Sequence, residues 1–181
     1  MTTRNLQAGV VELFIYDFIG ERGITSAAFV AELRAIRANK ILLRVNSVGG
    51  DIFDGIAIRN ALIEHPASIE THVDGIAAST ASWIALAGSP VIMAQSSAMM
   101  IHEPFNVVMG DAATMRKQAD VLDLFAAEIG KLYAAKAGGT PSEWRDRMRA
   151  ETWYTAEEAV AAGLADEVAA VAQAAATWSA S

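Results

Sequence analysis

The sequence predicts an α/β fold of stacked strand–helix units. Three observations carry this. Short apolar, β-rich runs recur at 10–16, 41–45, 68–73, 91–93 and 98–101. Segments with apolar residues at helical spacing separate the first three of them. One much longer helical stretch follows at 111–137, with a single apolar stripe. The chain has 181 residues and is 53% hydrophobic, enough for one domain with its own core. Neither repeats nor a boundary divide it, so 1–181 reads as a single domain.

Taken in order, residues 10–16 form the first predicted strand. Thr25 is placed to cap a helix over 26–37, with Phe29, Leu33 and Ile36 on one face. Residues 41–45 are the next strand. From 51 to 63, Ile52, Ile56, Arg59 or Asn60, and Ile63 recur at helical spacing until Pro66 stops the helix. A third strand over 68–73 precedes a short apolar helix over 79–86. Gly88-Ser89-Pro90 is a turn, and two short strands follow it. Asp111 caps the long helix, whose stripe is Met115, Leu122, Phe125, Ile129 and Leu132. Such a helix either packs on its own domain or projects as an assembly surface, and periodicity does not separate the two. Gly138-Gly139 ends it. Thr140-Pro141-Ser142-Glu143 has capping-box spacing with Pro at the first helical position, and Thr155 to Glu158 repeats the box. Gly163 sits where a helix C-terminus favours glycine. The Ala-rich tail after Val168 reads as a helix or a frayed end.

Composition excludes several classes. The net charge is -7 and the pI about 4.9, which argues against a nucleic-acid groove or an anionic-membrane surface. Cysteine is absent, so there is no disulfide framework and no thiolate metal site. The first residues lack the apolar core of a signal peptide. No run reaches the roughly 18 apolar residues of a spanning helix. A cytoplasmic protein is the expectation.

Chemistry gathers at strand ends, where α/β sheets build ligand sites. Ser79 closes Gly75-Ile76-Ala77-Ala78-Ser79. Small neighbours admit a substrate carbonyl, and N–H groups opening a helix favour a developing anion. A plain N-cap serine is the competing reading. His102, in Met100-Ile101-His102-Glu103-Pro104, titrates near neutrality and suits a general base. The alternative is a structural histidine. His65 reads as a helix C-cap and His72 as a strand residue. Gly49-Gly50 allows close backbone approach to a ligand, or is merely a tight turn. Glu151, Asp146, Asp74 and Glu103 all remain candidates for an orienting carboxylate. The three histidines lack metal-ligand spacing, so neither a metal nor a cofactor is expected.

Together these segments resemble the proteolytic subunit of the Clp family (peptidase family S14), and more closely its phage and prophage head-maturation relatives. The resemblance runs from about Val11 to Val168. The family's Asn-Ser-Pro-Gly-Gly stretch is Asn46 to Gly50 here, with Val48 for proline. Its nucleophile segment is Gly75 to Ser79, and its base segment Met100 to Pro104. Its closing pattern appears as Glu151 through Ala159, then Gly163-Leu164-Ala165-Asp166.

This resemblance implies a ClpP/crotonase-like fold of β-β-α units with a protruding handle region, about 105–137. It implies a serine endopeptidase with Ser79 as nucleophile and His102 as base. The third member falls on Glu151, where the family usually has aspartate, with Asp146 in reserve. Gly50 and Thr80 become the oxyanion donors. Gly49, Asp51, Ile52, Pro104 and Phe105 become the substrate-binding residues, with an extended peptide added beside Gly49-Gly50. A polypeptide substrate and a homo-oligomer, heptamer or tetradecamer, follow from the same resemblance. Few residues precede the first predicted strand, so axial loops are expected to be short or absent and an ATPase unfoldase partner stays uncertain. The competing classes are a crotonase-like acyl-CoA enzyme and an inactive structural paralogue, which the Glu151 substitution keeps in play.

Overall fold

Eight strands form one sheet in a computed structural model that describes residues 3–7 and 9–170. In chain order the elements are β1 (Thr3–Gln7), β2 (Val10–Ile15), α1 (Ser26–Ala35), β3 (Lys40–Ser47), α2 (Ile52–Glu64), β4 (Ser68–Ala78) and α3 (Thr80–Ala85). They continue with β5 (Val91–Met93), β6 (Ala98–Ile101), α4 (Ala112–Ala137), α5 (Pro141–Arg149), β7 (Thr152–Thr155), α6 (Ala156–Ala161) and β8 (Glu167–Val168). The main path runs β1-β2-β3-β4-β5-β8. β2, β3, β4 and β5 are mutually parallel, as strand–helix–strand units require. Alternate residues Leu13 and Ile15, Ile41, Leu43 and Val45, and Val73 are fully buried in the core that also holds Phe29, Leu33, Ile58 and Leu62.

The third predicted strand proves longer than its apolar run. β4 continues through Asp74 and Gly75 because the ladder with β3 shifts register between Val45 and Ser47. There the Asn46 side chain accepts from Ile76 N–H at 3.2 Å. A Cβ at 75 would lie 2.5 Å from Asn46 Oδ1 and push that side chain off Ile76 N–H. Past this irregularity β4 leaves β5 and pairs through Ile76, Ala77 and Ala78 with β6. The second half of β4 thus runs straight to Ser79.

Other differences from the expectation have physical causes. Residues 3–7 form a strand, antiparallel to β2, although their polar letters show no β pattern. β7 pairs antiparallel with β6, and β8 adds to β5. α2 buries Gly55, Ile58 and Leu62, while Ile63 is exposed. Both of its faces are apolar, so periodicity misplaced the stripe. Gly55 decides it, because a Cβ there would lie 2.1 Å from Thr80 Cγ2. α1 ends two residues early, at Ala35, with Ile36 as C-cap. The caps at Thr25, Asp111, Thr140 and Thr155 form as expected, both capping boxes included. α4 packs on its own domain along its second half and leaves its first turns exposed. Residues 112–117 are exposed, whereas Ala126, Ile129, Gly130 and Tyr133 are buried against the body. The tail from 171 onward lies outside the described residues.

Candidate active site

Three strand ends converge. Ser79 follows β4, His102 follows β6, and Gly49-Gly50 follows β3. β6 pairs with β4 through Ala78↔Met100, and Ser79 N–H donates to Met100 C=O at 2.9 Å. That register sets the imidazole over the serine. His102 Nε2 lies 2.7 Å from Ser79 Oγ. Ser79 occupies the N-cap position of α3, yet its side chain makes no capping bond. Its hydroxyl is committed to the histidine instead, which answers the N-cap alternative.

Backbone strain marks the same place. Among the described residues, only Ser79 (φ 53°) and Glu151 (φ 48°) are non-glycines at positive φ. Side chains in that region cost of order 1–3 kcal/mol and persist where the surroundings impose them. Glu151 sits just past α5, in the left-handed position usually given to glycine. The conformation aims the chain into β7, which β6 holds alongside His102. No hydrogen bond joins Glu151 to His102, but its charge acts on the imidazole. Burial pulls the His102 pKa below its ordinary 6.5, and the Glu151 carboxylate opposes the shift by favouring the charged ring.

The other carboxylates have partners elsewhere. Asp74 pairs with Arg44 and accepts from the Tyr16 hydroxyl. Glu103 pairs with Arg145 at 3.0 Å. Asp146 pairs with Arg149 at 2.9 Å. His65 caps α2 and accepts from Ala67 N–H, and His72 meets Glu70 at 2.7 Å. Both are structural. Among the described residues no group of acids and histidines is placed to hold a metal ion.

Gly49 packs directly on the serine elbow. A Cβ at Gly49 would lie 2.6 Å from Ala78 O and 2.8 Å from Ser79 Cβ. Ile19 clamps this turn from the far side: its N–H donates to Gly49 C=O at 2.9 Å and its C=O accepts from Asp51 N–H at 2.8 Å. A peptide therefore cannot pair with those two groups as an added strand would. Gly50 N–H has no partner among the described residues, and Thr80 N–H is the first, unpaired donor of α3.

A cavity of about 340 Å³ opens beside Ser79. Gly50, Ile52, Thr80, His102, Pro104 and Phe105 line it. Gly49 lies behind the turn, and Asp51 is spent as the N-cap of α2. Asp51 instead borders a second cavity of about 330 Å³, between Phe105 and α4. Sequence reasoning missed Trp83 and Ile129, which line the first cavity. Trp83 lies one helical turn beyond Ser79, a spacing that could have singled it out. A larger cavity of about 820 Å³ lies between the C-terminal ends of α1 and α2, but it contains none of these groups.

Comparison with known proteins agrees with the geometry. The Clp protease family profile matches residues 15–172. The chain belongs to the Clp protease family. It is 32% identical over 130 residues to the ATP-dependent Clp protease proteolytic subunit 2 of Corynebacterium efficiens, covering 71% of this chain and 65% of that protein. It is 30% identical over 140 residues to the Clp proteolytic subunit of Chlorella vulgaris, covering 76% and 70%. Against subunit 3 of Rhodococcus jostii it is 28% identical over 154 residues, covering 84% and 75%. The chain thus spans just under two thirds of the first relative's length. No helix among the described residues is long and apolar enough to cross a membrane.

Proposed function

We propose that this chain hydrolyses peptide bonds as a serine endopeptidase through an acyl-enzyme. The observation that carries the reading is the 2.7 Å contact between His102 Nε2 and a Ser79 hydroxyl with no other partner among the described residues. Neutral His102 takes the Ser79 proton as Oγ attacks the carbonyl carbon. Gly50 and Thr80 N–H receive the oxyanion. His102 then protonates the departing amine, and water, activated by the same imidazole, releases the acyl group. Burial supports this role, because it keeps the ring neutral and able to accept a proton at pH 7. Glu151 favours the imidazolium as it forms. Side chains of the substrate occupy the cavity between Ile52, Pro104 and Phe105, while Gly49 and Asp51 act only through the turn and the helix cap that fix its wall.

The rest of the proposal concerns assembly. Val107 and Met109, 90% and 95% exposed, precede α4, and Met115 and Leu124 on α4 are exposed as well. Exposed large apolar groups before and along α4 fit burial against further copies. That exposure supports a handle region, about 105–137, that joins copies; we propose further a single-domain subunit of a heptamer or tetradecamer around a closed chamber. An ATPase unfoldase partner and a head-maturation substrate are narrower forms of the same reading. Cleavage of a capsid protein without any ATPase would favour the second of them.

The test is Ser79→Ala with a fluorophosphonate probe and a fluorogenic peptide. Wild type is expected to be labelled at Ser79 and to turn over. The variant is expected to fold, to escape labelling and to lose turnover. Full peptide hydrolysis by Ser79→Ala would exclude the serine as nucleophile.

A further inference from the structure

The peptide group between Ser79 and Thr80 carries two functions at once. Its N–H, belonging to Thr80, is one of the two proposed oxyanion donors. Its C=O, belonging to Ser79, faces the opposite way, because the peptide unit is planar and trans. Whatever fixes the direction of the carbonyl therefore fixes the direction of the donor.

That carbonyl is held twice. Ser82 N–H donates to it at 3.0 Å, and the Ser82 hydroxyl donates to it as well. Ser82 Oγ also lies 2.7 Å from the Tyr133 hydroxyl. A serine has one proton to give, and here the carbonyl takes it. The second bond must then run from tyrosine to serine, so the chain reads Tyr133 O–H to Ser82 O–H to Ser79 C=O. Burial raises the Tyr133 pKa well above its ordinary value, which keeps the phenol protonated and able to donate.

Both side chains are almost fully enclosed, Ser82 at 0% and Tyr133 at 1% exposure. Two hydroxyls in an apolar core are costly unless satisfied, and alanine with phenylalanine would fill the same space without that cost. Neither hydroxyl touches the substrate cavity. The conformation they act on, Ser79 at φ 53°, is strained and needs an external hold.

We propose that Ser82 and Tyr133 are positioning residues, a relay from α4 that holds the Ser79–Thr80 peptide with its N–H aimed at the oxyanion. The relay rests on the peptidase reading above and adds to it. It also makes the seating of α4 against α3 part of the catalytic geometry.

The test uses Ser82→Ala and Tyr133→Phe in the full chain, with Thr71→Val as control. Thr71 Oγ1 is buried and unpartnered among the described residues, so its loss reports on a buried hydroxyl away from the site. Rates are taken per active site titrated to endpoint with fluorophosphonate, so that a smaller folded fraction does not imitate a slower enzyme. Losing an oxyanion donor outright costs about 10²–10³ in kcat. Misaiming one is expected to lower per-site kcat roughly 10- to 30-fold for Ser82→Ala and about 3- to 10-fold for Tyr133→Phe. KM should stay within about twofold, since the interaction strengthens only in the transition state. Affinity for a peptide boronate should fall in step with kcat, the acid limb of the pH profile should not move, and Thr71→Val should keep wild-type kcat. Per-site kcat within twofold of wild type in both relay variants overturns the relay while leaving the peptidase reading intact. A loss confined to KM overturns it equally. If wild type takes no probe at Ser79, the peptidase reading falls and the relay falls with it.

Discussion

Gly49→Ala is the substitution whose effect can be worked furthest from the structure. Gly49 has φ +88°, and a Cβ would lie 2.6 Å from Ala78 O, 2.8 Å from Ser79 Cβ and 2.8 Å from Thr80 N. Ordinary contact begins near 3.4 Å, so the turn and the serine elbow must part by roughly 0.8 Å. Neither side yields easily. Ile19 clamps the turn through two backbone bonds, and Met100 and Ser82 hold the elbow. The two proposed oxyanion donors, Gly50 N–H and Thr80 N–H, sit on opposite sides of this contact. Parting them misplaces one donor by most of an ångström, and a misplacement of about 1 Å can cost 10²-fold in rate. The expected result is a kcat lower by about 10²-fold, or about 2.7 kcal/mol of activation free energy. The matched control is Gly138→Ala. Gly138 has a similar φ, +80°, with nothing within 4 Å of the added Cβ. It should show only the conformational penalty of a side chain at φ 80°, ψ -170°, about 1–3 kcal/mol of stability, and keep its kcat. The assay is steady-state hydrolysis of a fluorogenic peptide beside thermal unfolding. Wild-type kcat in Gly49→Ala would refute the reasoning, as would equal losses in the two variants.

Two further outcomes follow from the charges. Because burial depresses the His102 pKa, the acid limb of kcat/KM should have its midpoint below pH 6.5, activity rising with pH as the ring loses its proton. Glu151→Gln removes the charge that supports the imidazolium, so the limb should move to still lower pH while the plateau falls; a limb that moves upward would remove Glu151 from the site. Arg59 on α2 has a buried Nε with no partner among the described residues, and desolvation lowers its pKa. Arg59→Met should therefore raise the unfolding midpoint, by about 1 kcal/mol in stability, as read by denaturant melts; a clear loss of stability would mean that the guanidinium is paired in the assembled protein.

Much of the fold was legible because its signals are local. Caps at Thr25, Asp111, Thr140 and Thr155 depend on a side chain and a backbone N–H three residues on. Strands β2, β3 and β5 are buried runs bounded by turn residues. What escaped is decided by distant partners. β1 is polar and is a strand only because β2 offers an edge. The C-terminal half of β4 carries Asp74 and Gly75, which read as a break until Arg44 and Asn46 are seen to receive them. The face of α2 could not be read from a helix apolar on both sides, because Thr80 and Trp83 select it by contact with Gly55.

The site divides along the same line. Ser79, His102 and the Gly pair each end a strand, and strand ends are visible in sequence. Their meeting needs β4 to desert β5 for β6, which no local pattern records. Glu151 is harder still. It stands among several acids, and composition gives no reason to prefer it to Asp146 one turn earlier. Their surroundings differ: Asp146 pairs with Arg149 one turn on in its own helix, while the left-handed turn at Glu151 feeds a strand that pairs with β6, which ends just before His102. The same logic explains why the link between Ser82 and Tyr133 was silent in the sequence. A serine in a short apolar helix and a tyrosine in a long one are ordinary letters 51 positions apart. They acquire a role only when α4 packs down on α3, and that packing also encloses the elbow whose strain they hold.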